Sequence, residues 1–543
     1  MAKPFVAGTN QAFDAVSLEL LWRRTISAVD EAAKALRRTS FSTLVNESND
    51  FACVLTDASG QSLAQNTESI PSFIGTLPVT VKQFIKEIGL ENMRPGDVLV
   101  TNTPWIATGH LNDITVAKPI FRSGRIVAFA ASTAHAPDIG GKVRSVEPRE
   151  VFEEGFHIPV MKFMNEGKPD QTFLKLLRAA VRTPDQTEGD LWAQITGLDL
   201  LERRLGEVMT EYALDDLESF AGEILGRCEK AMRAAIRALP DGDYTHEFQT
   251  DGLMDQPFTY RIAIKVADDR LSVDYAGTSA QVDRAINCTM TYTFAMTAYA
   301  LKCLLLPDLP NNEGIFRCIE VRAPAGTIVN PRFPAAVGGR MATGHYLPVA
   351  VFGALAPVIP ERIMAASGSP LWSMIQTGVR PDGGTYANVL FFNGGMGATD
   401  SHDGQSTYAW PSNVSNVPVE LIERNSPLIV HHKQLRAGSG GAGRFRGGLG
   451  QEIEFEVTSE TPIGVIFMAE RCRFPAPGMR GGRPGAPGEV CIDGAQVDYH
   501  KNVVLTKGQR VTLRTPGGGG MGPANQRDRT AIEWDLRQGY GQE

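Results

Sequence analysis

Membrane spans, nucleic-acid footprints and disulfide frameworks all lack support in this 543-residue chain. No stretch approaches the roughly 20 apolar residues a membrane span requires. The start, MAKPFVAGTNQAFDAV, has no apolar core of the secretory kind. Basic and acidic side chains number 53 and 61, a net charge of −8, without a Lys/Arg-rich run, so no nucleic-acid partner is expected. Seven cysteines, an odd count with no CxxC, argue against a disulfide scaffold or a zinc ribbon. The expectation is a cytoplasmic protein with reduced thiols. There is no GxSxG elbow, and the one long glycine run, TPGGGGMG, lacks the Lys-Ser or Lys-Thr of a phosphate loop. Serine-hydrolase chemistry and ATP binding of the Walker type are therefore not expected of this chain.

Glycine and proline, 55 and 33, are plentiful at about a sixth of the residues against a usual ~12%. They concentrate in GSGGAGRFRGGLG, PGMRGGRPGAPG and TPGGGGMG, which read as tight turns and close backbone approaches within a folded region. Arg436, Arg444 and Arg446 lie around the GSGGAG part of the first of these, either to meet a phosphate or carboxylate or as solvated or ion-paired arginines. Cys53 and Cys288 sit in apolar surroundings and read as core residues.

Periodicity organises the rest. Leu18, Leu21, Trp22, Ile26, Val29, Ala33 and Leu36 share one helical face over residues 17–38. FACVLTDASGQSLAQ predicts strand–turn–strand, and TLPVTVKQFIKEIG a helix ending at Gly89. Two long helices are expected within 171–238, strands return after Pro240, CTMTYTFAMTAYALKCLLL predicts a buried helix, and from about 415 the pattern is nearly all β. The expected fold class is α+β, multi-lobed, with mostly antiparallel sheets and a glycine-rich β C-terminal region. The expected lobes are 1–165, 166–240, 241–415 and 416–543.

One stretch concentrates chemistry. Histidines number nine, and TGHLNDITVAKPIFRSGRIVAFAASTAHAPDIGG holds two of them, His110 and His135, with Asp113 and Asp138. ITVAKPIF and IVAFAAS predict a hairpin turning at Ser123-Gly124, which sets Asp113 opposite Ala134 or His135. Facing Cβ atoms lie roughly 4.5–5.5 Å apart, close enough to share one ion at metal–ligand distances of about 2.0–2.2 Å. A one-residue slip would send them to opposite faces. Spacing alone leaves open the other reading, four strand-end polar groups satisfied by backbone. Asp138, beside Gly140-Gly141, fits a turn or an acceptor that orients a histidine.

GHLND followed by AHAPDIGG resembles the paired signature of the hydantoinase B/oxoprolinase family. NDFACVLTDASGQSLAQ, EEGFHIPVMKF, RTPDQTEGDLWAQI, LPDLPNNEGIFR, GSGGAGRFRGGLG and TPGGGGMG are similar to family segments in the family's order, from about residue 40 to 525. That family includes the B-type components of ATP-dependent N-methylhydantoinases and lactamases, and is related to the alpha subunits of acetone and acetophenone carboxylases. The resemblance implies a divalent metal, manganese or zinc, held by His110, Asp113 and His135, with Asp50 as a fourth ligand or a strand-edge cap. It implies ATP bound by a hydantoinase A-type ATPase partner in a hetero-oligomer of A2B2 type, and hydrolysis of a cyclic amide that the partner has phosphorylated. Glu154 and Asp138 are the candidate catalytic carboxylates, Glu154 as general base or as support behind the metal ligands. Two further readings are a component of a ketone carboxylase and an assembly component with a structural metal. The chain departs from the family pattern in the loop Thr103–Ala107, where NTPWIATGHLND stands for NDPYxGGTHLPD, in Ala136 after His135, and in the unexpected His345.

Overall fold

The computed structural model describes residues 13–541 except 143–144, 254–255 and 381–382. The first long helix, Ala15–Thr39, is N-capped by Asp14, whose carboxylate accepts from the backbone N–H groups of Val16 and Ser17. Its expected apolar face is buried, with Ile26 half-buried, and packs on the helix Pro184–Glu211. Gln171–Ala180, Pro184–Glu211 and Glu218–Arg237 supply the helical segment expected near 171–238.

The sheet that carries the chemistry has seven strands: β1 (Phe51–Asp57), β2 (Ser62–Gln65), β3 (Val98–Thr101), β4 (Asp113–Arg122), β5 (Arg125–His135), β6 (Met161–Asn165) and β7 (Lys168–Pro169). Their order is β2-β1-β5-β4-β3-β6-β7, and every pairing is antiparallel. The β4–β5 turn places Ser123 at φ 49° and Gly124 at φ 76°, the two left-handed residues that match the twist of a hairpin. Asp113 pairs with His135 at the far end of the ladder, with one irregularity between Ile120 and Phe121. The helix Thr76–Ile88 crosses this sheet and ends at Gly89, φ 82°.

A four-stranded sheet of Gly242–Leu253, Gln256–Ala267, Arg270–Asp274 and Ile319–Arg322 follows, with one parallel pairing, at Arg270–Asp274 and Ile319–Arg322. The buried helix Met290–Leu305 is where its apolar composition places it. One apolar core runs from Leu18 to Met468 through all these elements.

The C-terminal region differs from expectation in two ways. Its two sheets share a second core, with Phe392 and Phe455 meeting edge to face at 5.8 Å. One of these sheets pairs Trp372–Val379 and Thr385–Phe392 with Ile463–Met468 and Val503–Leu505, so the ladder crosses the expected 415/416 boundary. Helices Val419–Asn425 and Arg529–Arg537 interrupt a stretch that reads as nearly all β; both are short, and neither had a long periodic signal. The glycine-rich motifs supply the expected turns, at Ala437-Gly438 and Arg480-Gly481, and the expected close backbone approaches. The segment Thr515–Gly522 lies inside a bundle of segments outside any helix or strand. Gly518 N–H donates to Gly448 O, Gly519 N–H to Ala366 O and Gly520 N–H to Arg483 O. A Cβ on Gly517 would fall 1.8 Å from Ser439 O, and one on Gly518 2.1 Å from Met396 O; only glycine lets the backbones approach so closely.

Candidate metal centre

Strand ends and one loop assemble the site. The β4–β5 ladder delivers Asp113 and His135, and the β3–β4 loop delivers His110. Asn102 secures that loop: its amide nitrogen donates to Leu111 O and Phe156 O, and its oxygen accepts from Ile158 N–H. Gly109, at φ 100°, passes against Arg340 and Thr289, where a Cβ would lie 2.8 Å from each. Glycine before His110 is therefore a steric requirement.

His110 Nε2 stands 2.8 Å from Asp113 Oδ1, and His135 Nδ1 stands 2.9 Å from the same oxygen. The two rings lie 4.9 Å apart, tilted by 47°. These three residues form a group whose ligand atoms lie within 4.8 Å of one another, all buried. His110 Nδ1 is spent on Gly338 O at 3.0 Å, which leaves Nε2 as the free nitrogen. Nε2 of each ring is buried and has no hydrogen-bond partner among the described residues. Buried polar groups are ordinarily satisfied, and two imidazole nitrogens flanking a carboxylate are a metal-binding donor set. Ligands at about 2.1 Å from one ion are roughly 3.0–3.4 Å apart; the two nitrogens stand slightly closer than that to Asp113 Oδ1, at 2.8 and 2.9 Å, the spacing of direct hydrogen bonds.

The charges are arranged to match. Burial drives the His110 imidazole down to about 3, helped by Arg340, so the ring is neutral and offers a lone pair. Burial pushes the Asp113 carboxyl up, but His110 and Arg340 outweigh it and hold the group well below the usual carboxylate range. Asp113 Oδ2 accepts from Arg340 Nη2 at 2.7 Å and from Thr108 Oγ1 at 2.5 Å, leaving Oδ1 toward the histidines. Arg340 also donates to Thr108 O at 2.7 Å and lies 4.5 Å over the Tyr292 ring. The cavity beside the cluster, about 30 Å³, has room for about two water-sized ligands. Asp50, His110, His135, Tyr292, Arg340 and His345 are among its walls.

Other expected residues take distinct places. Asp50 lines the cavity with Oδ2 3.9 Å from His135 Nδ1, outside the tight group, while its carbonyl accepts from His135 N–H. Asp138 binds Arg182 Nη1 at 2.7 Å, the Arg182 N–H and Gly140 N–H; its bonds run to Arg182 and the glycine turn, not to a histidine. Glu154 lies behind the site, where Oε1 accepts from Val337 N–H and Gly338 N–H at 2.7 and 2.6 Å. His345 accepts from Leu371 N–H at 3.3 Å and stacks toward Tyr292. In the altered loop, Trp105 donates to Pro331 O and packs edge-on against Phe333. Arg436, Arg444 and Arg446 pair with Glu489, Asp400 and Asp535 of the same chain. Burial pushes the thiols of Cys53 and Cys288 up to about 12, as for core residues.

Sequence reasoning missed Arg340, Thr108 and Gly338. The available signal was that Arg340 is the sole Asp, Glu, Lys or Arg between Arg332 and Glu361; a lone charge in an apolar stretch is buried only when paired.

The family model for hydantoinase B/oxoprolinase matches residues 14–524. An uncharacterised protein of Methanocaldococcus jannaschii is 32% identical over 96% of this chain and 93% of its own length. The B component of a putative D-/L-hydantoinase from a Pseudomonas species is 29% identical over 97% of this chain and 93% of its own. The crystal structure of the ATP-dependent caprolactamase from Pseudomonas jessenii superposes with a TM-score of 0.88 at 27% identity, covering 98% of this chain and 95% of that one. The chain thus belongs to the hydantoinase B/oxoprolinase family.

Proposed function

We propose that this chain is the metal-dependent component of an ATP-dependent amidohydrolase acting on a cyclic amide. His110, Asp113 and His135 hold the ion, manganese or zinc, with Asp50 as a fourth ligand. The observation that carries the reading is the buried group of His110, Asp113 and His135, whose ligand atoms lie within 4.8 Å of one another beside a small cavity. A divalent ion there would supply Lewis-acid polarisation of a carbonyl and lower the pKa of water. The chain's own groups prepare that chemistry. Gly338 O accepts a hydrogen bond from His110 Nδ1–H and so directs Nε2 at the ion. Arg340 keeps Asp113 charged and turns Oδ1 inward. Three protein ligands leave coordination positions open for water and substrate.

Amide resonance makes a lactam carbonyl a poor electrophile. In this reading a partner ATPase of the A type activates the substrate by phosphorylation, in an A2B2 assembly; the ATP dependence of the caprolactamase and the subunit naming of the hydantoinase relative support ATP use and a partner subunit. The test is His135→Ala in the reconstituted complex, assayed with ATP against caprolactam, hydantoins and 5-oxoproline, with elemental analysis. Loss of a ligand is expected to exceed the roughly 10–100-fold cost of losing an outer partner, with loss of bound metal. Undiminished turnover by the variant would overturn the catalytic metal, and turnover that requires bicarbonate would indicate carboxylation instead.

A further inference from the structure

Among the described residues no hydrogen bond joins the Glu154 side chain to the histidines, yet the chain is built to hold it against the loop that positions them. Residues 149–154 are zipped to 334–338: Val151 N–H donates to Pro334 O, Ala336 N–H to Arg149 O, and Glu150 bridges to Ala335. At the end of this zipper Glu154 Oε1 accepts from Val337 N–H and Gly338 N–H. The carbonyl of that same Gly338 holds His110 Nδ1, and two residues later Arg340 holds Asp113. One four-residue loop, 337–340, thus orients two of the three donor groups. Its start is fixed by a carboxyl group that is 6% exposed.

We propose that Glu154 is a positioning residue for metal binding. By pinning the amides of Val337 and Gly338 it aims the Gly338 carbonyl at His110 Nδ1, which fixes the ring's tautomer and presents Nε2 to the ion. This deepens the functional reading above and rests on His110 being a ligand. Outer partners of metal-bound histidines typically contribute 10–100-fold in metal affinity. Glu154 is one step further out than usual, but it acts on the backbone itself. Oε2 has no hydrogen-bond partner among the described residues, so Oε1 is the working atom. Glutamine retains an acceptor at Oε1, whereas alanine has none.

The test is a Co²⁺ titration of metal-stripped wild type, Glu154→Gln and Glu154→Ala, read by calorimetry and by the visible absorption of the bound cobalt. Expected are binding by Glu154→Gln within about threefold of wild type with the same spectrum, and by Glu154→Ala weakened roughly 10–100-fold with a changed spectrum. Wild-type affinity and spectrum in Glu154→Ala would overturn the proposal. So would a Glu154→Gln protein, folded by circular dichroism, that binds as poorly as Glu154→Ala. If wild type takes up no Co²⁺, or His110→Ala takes it up unchanged, the metal reading falls and this proposal with it. By contrast, wild-type binding that depends on His110 but not on Glu154 removes only Glu154's part.

Discussion

Removing Arg340 from the metal-free protein should expose how strongly the site depends on a charge supplied from far along the chain. Arg340 Nη2 lies 2.7 Å from Asp113 Oδ2, with side-chain exposures of 6% and 0%. Breaking a buried pair by deleting one partner costs about 3–5 kcal/mol, because the remaining charge is stranded. Arg340→Met should therefore destabilise by that amount, plus about 1 kcal/mol for the Thr108 carbonyl it leaves unpaired. Asp113→Asn strands the guanidinium and should cost a comparable amount. The double variant strands neither charge. Its cost should fall below the sum of the singles by roughly 2–4 kcal/mol, the coupling of a close, desolvated pair. The assay is urea unfolding in a chelator, followed by tryptophan fluorescence, for all four proteins of the cycle. Additivity within about 0.5 kcal/mol would refute the claim that Arg340 acts on Asp113 directly.

Three further outcomes follow from particular residues. Burial pushes the Glu154 carboxyl up from 4.5 to about 8, so the folded state keeps a proton that the unfolded chain has released between those values. Its contribution to stability is full below about pH 4.5 and is lost as pH rises through about 8, with a slope of about 1.4 kcal/mol per pH unit inside the window. The stability of wild type relative to Glu154→Gln, measured from pH 5 to 8, should therefore decline, and a flat difference would contradict it. Gly206 lies within the helix Pro184–Glu211 with nothing within 4 Å of an added Cβ, so Gly206→Ala should stabilise by up to about 1 kcal/mol. Gly518→Ala should do the opposite and prevent the glycine bundle from closing, since its Cβ would meet Met396 O at 2.1 Å; comparing the two melting temperatures checks both.

Much of this protein was legible in its sequence where structure is local. The apolar face of Ala15–Thr39 followed from 3.6-residue spacing. Two strand-like runs and a two-residue turn set Asp113 opposite Ala134 or His135, and the ladder takes the second of these registers. His110 needed the family resemblance, since nothing in a three-residue loop spacing says that its ring folds back toward Oδ1 of Asp113. The glycine-rich motifs were legible as places of close approach, but not as strands of one bundle, because the partner of each glycine is another distant backbone. The short helices Val419–Asn425 and Arg529–Arg537 had too few turns to stand out as periodic.

Local pattern by itself determined the hairpin and brought Asp113 within one residue of His135; because a ladder's side chains alternate with a period of two, the face they share was left to the register. Tertiary structure alone decided what they are bound to. Arg340 is 227 positions from Asp113, and Gly338 is 228 from His110. A buried carboxylate and a directed imidazole depend on groups that arrive through packing, and desolvation makes those distant partners obligatory.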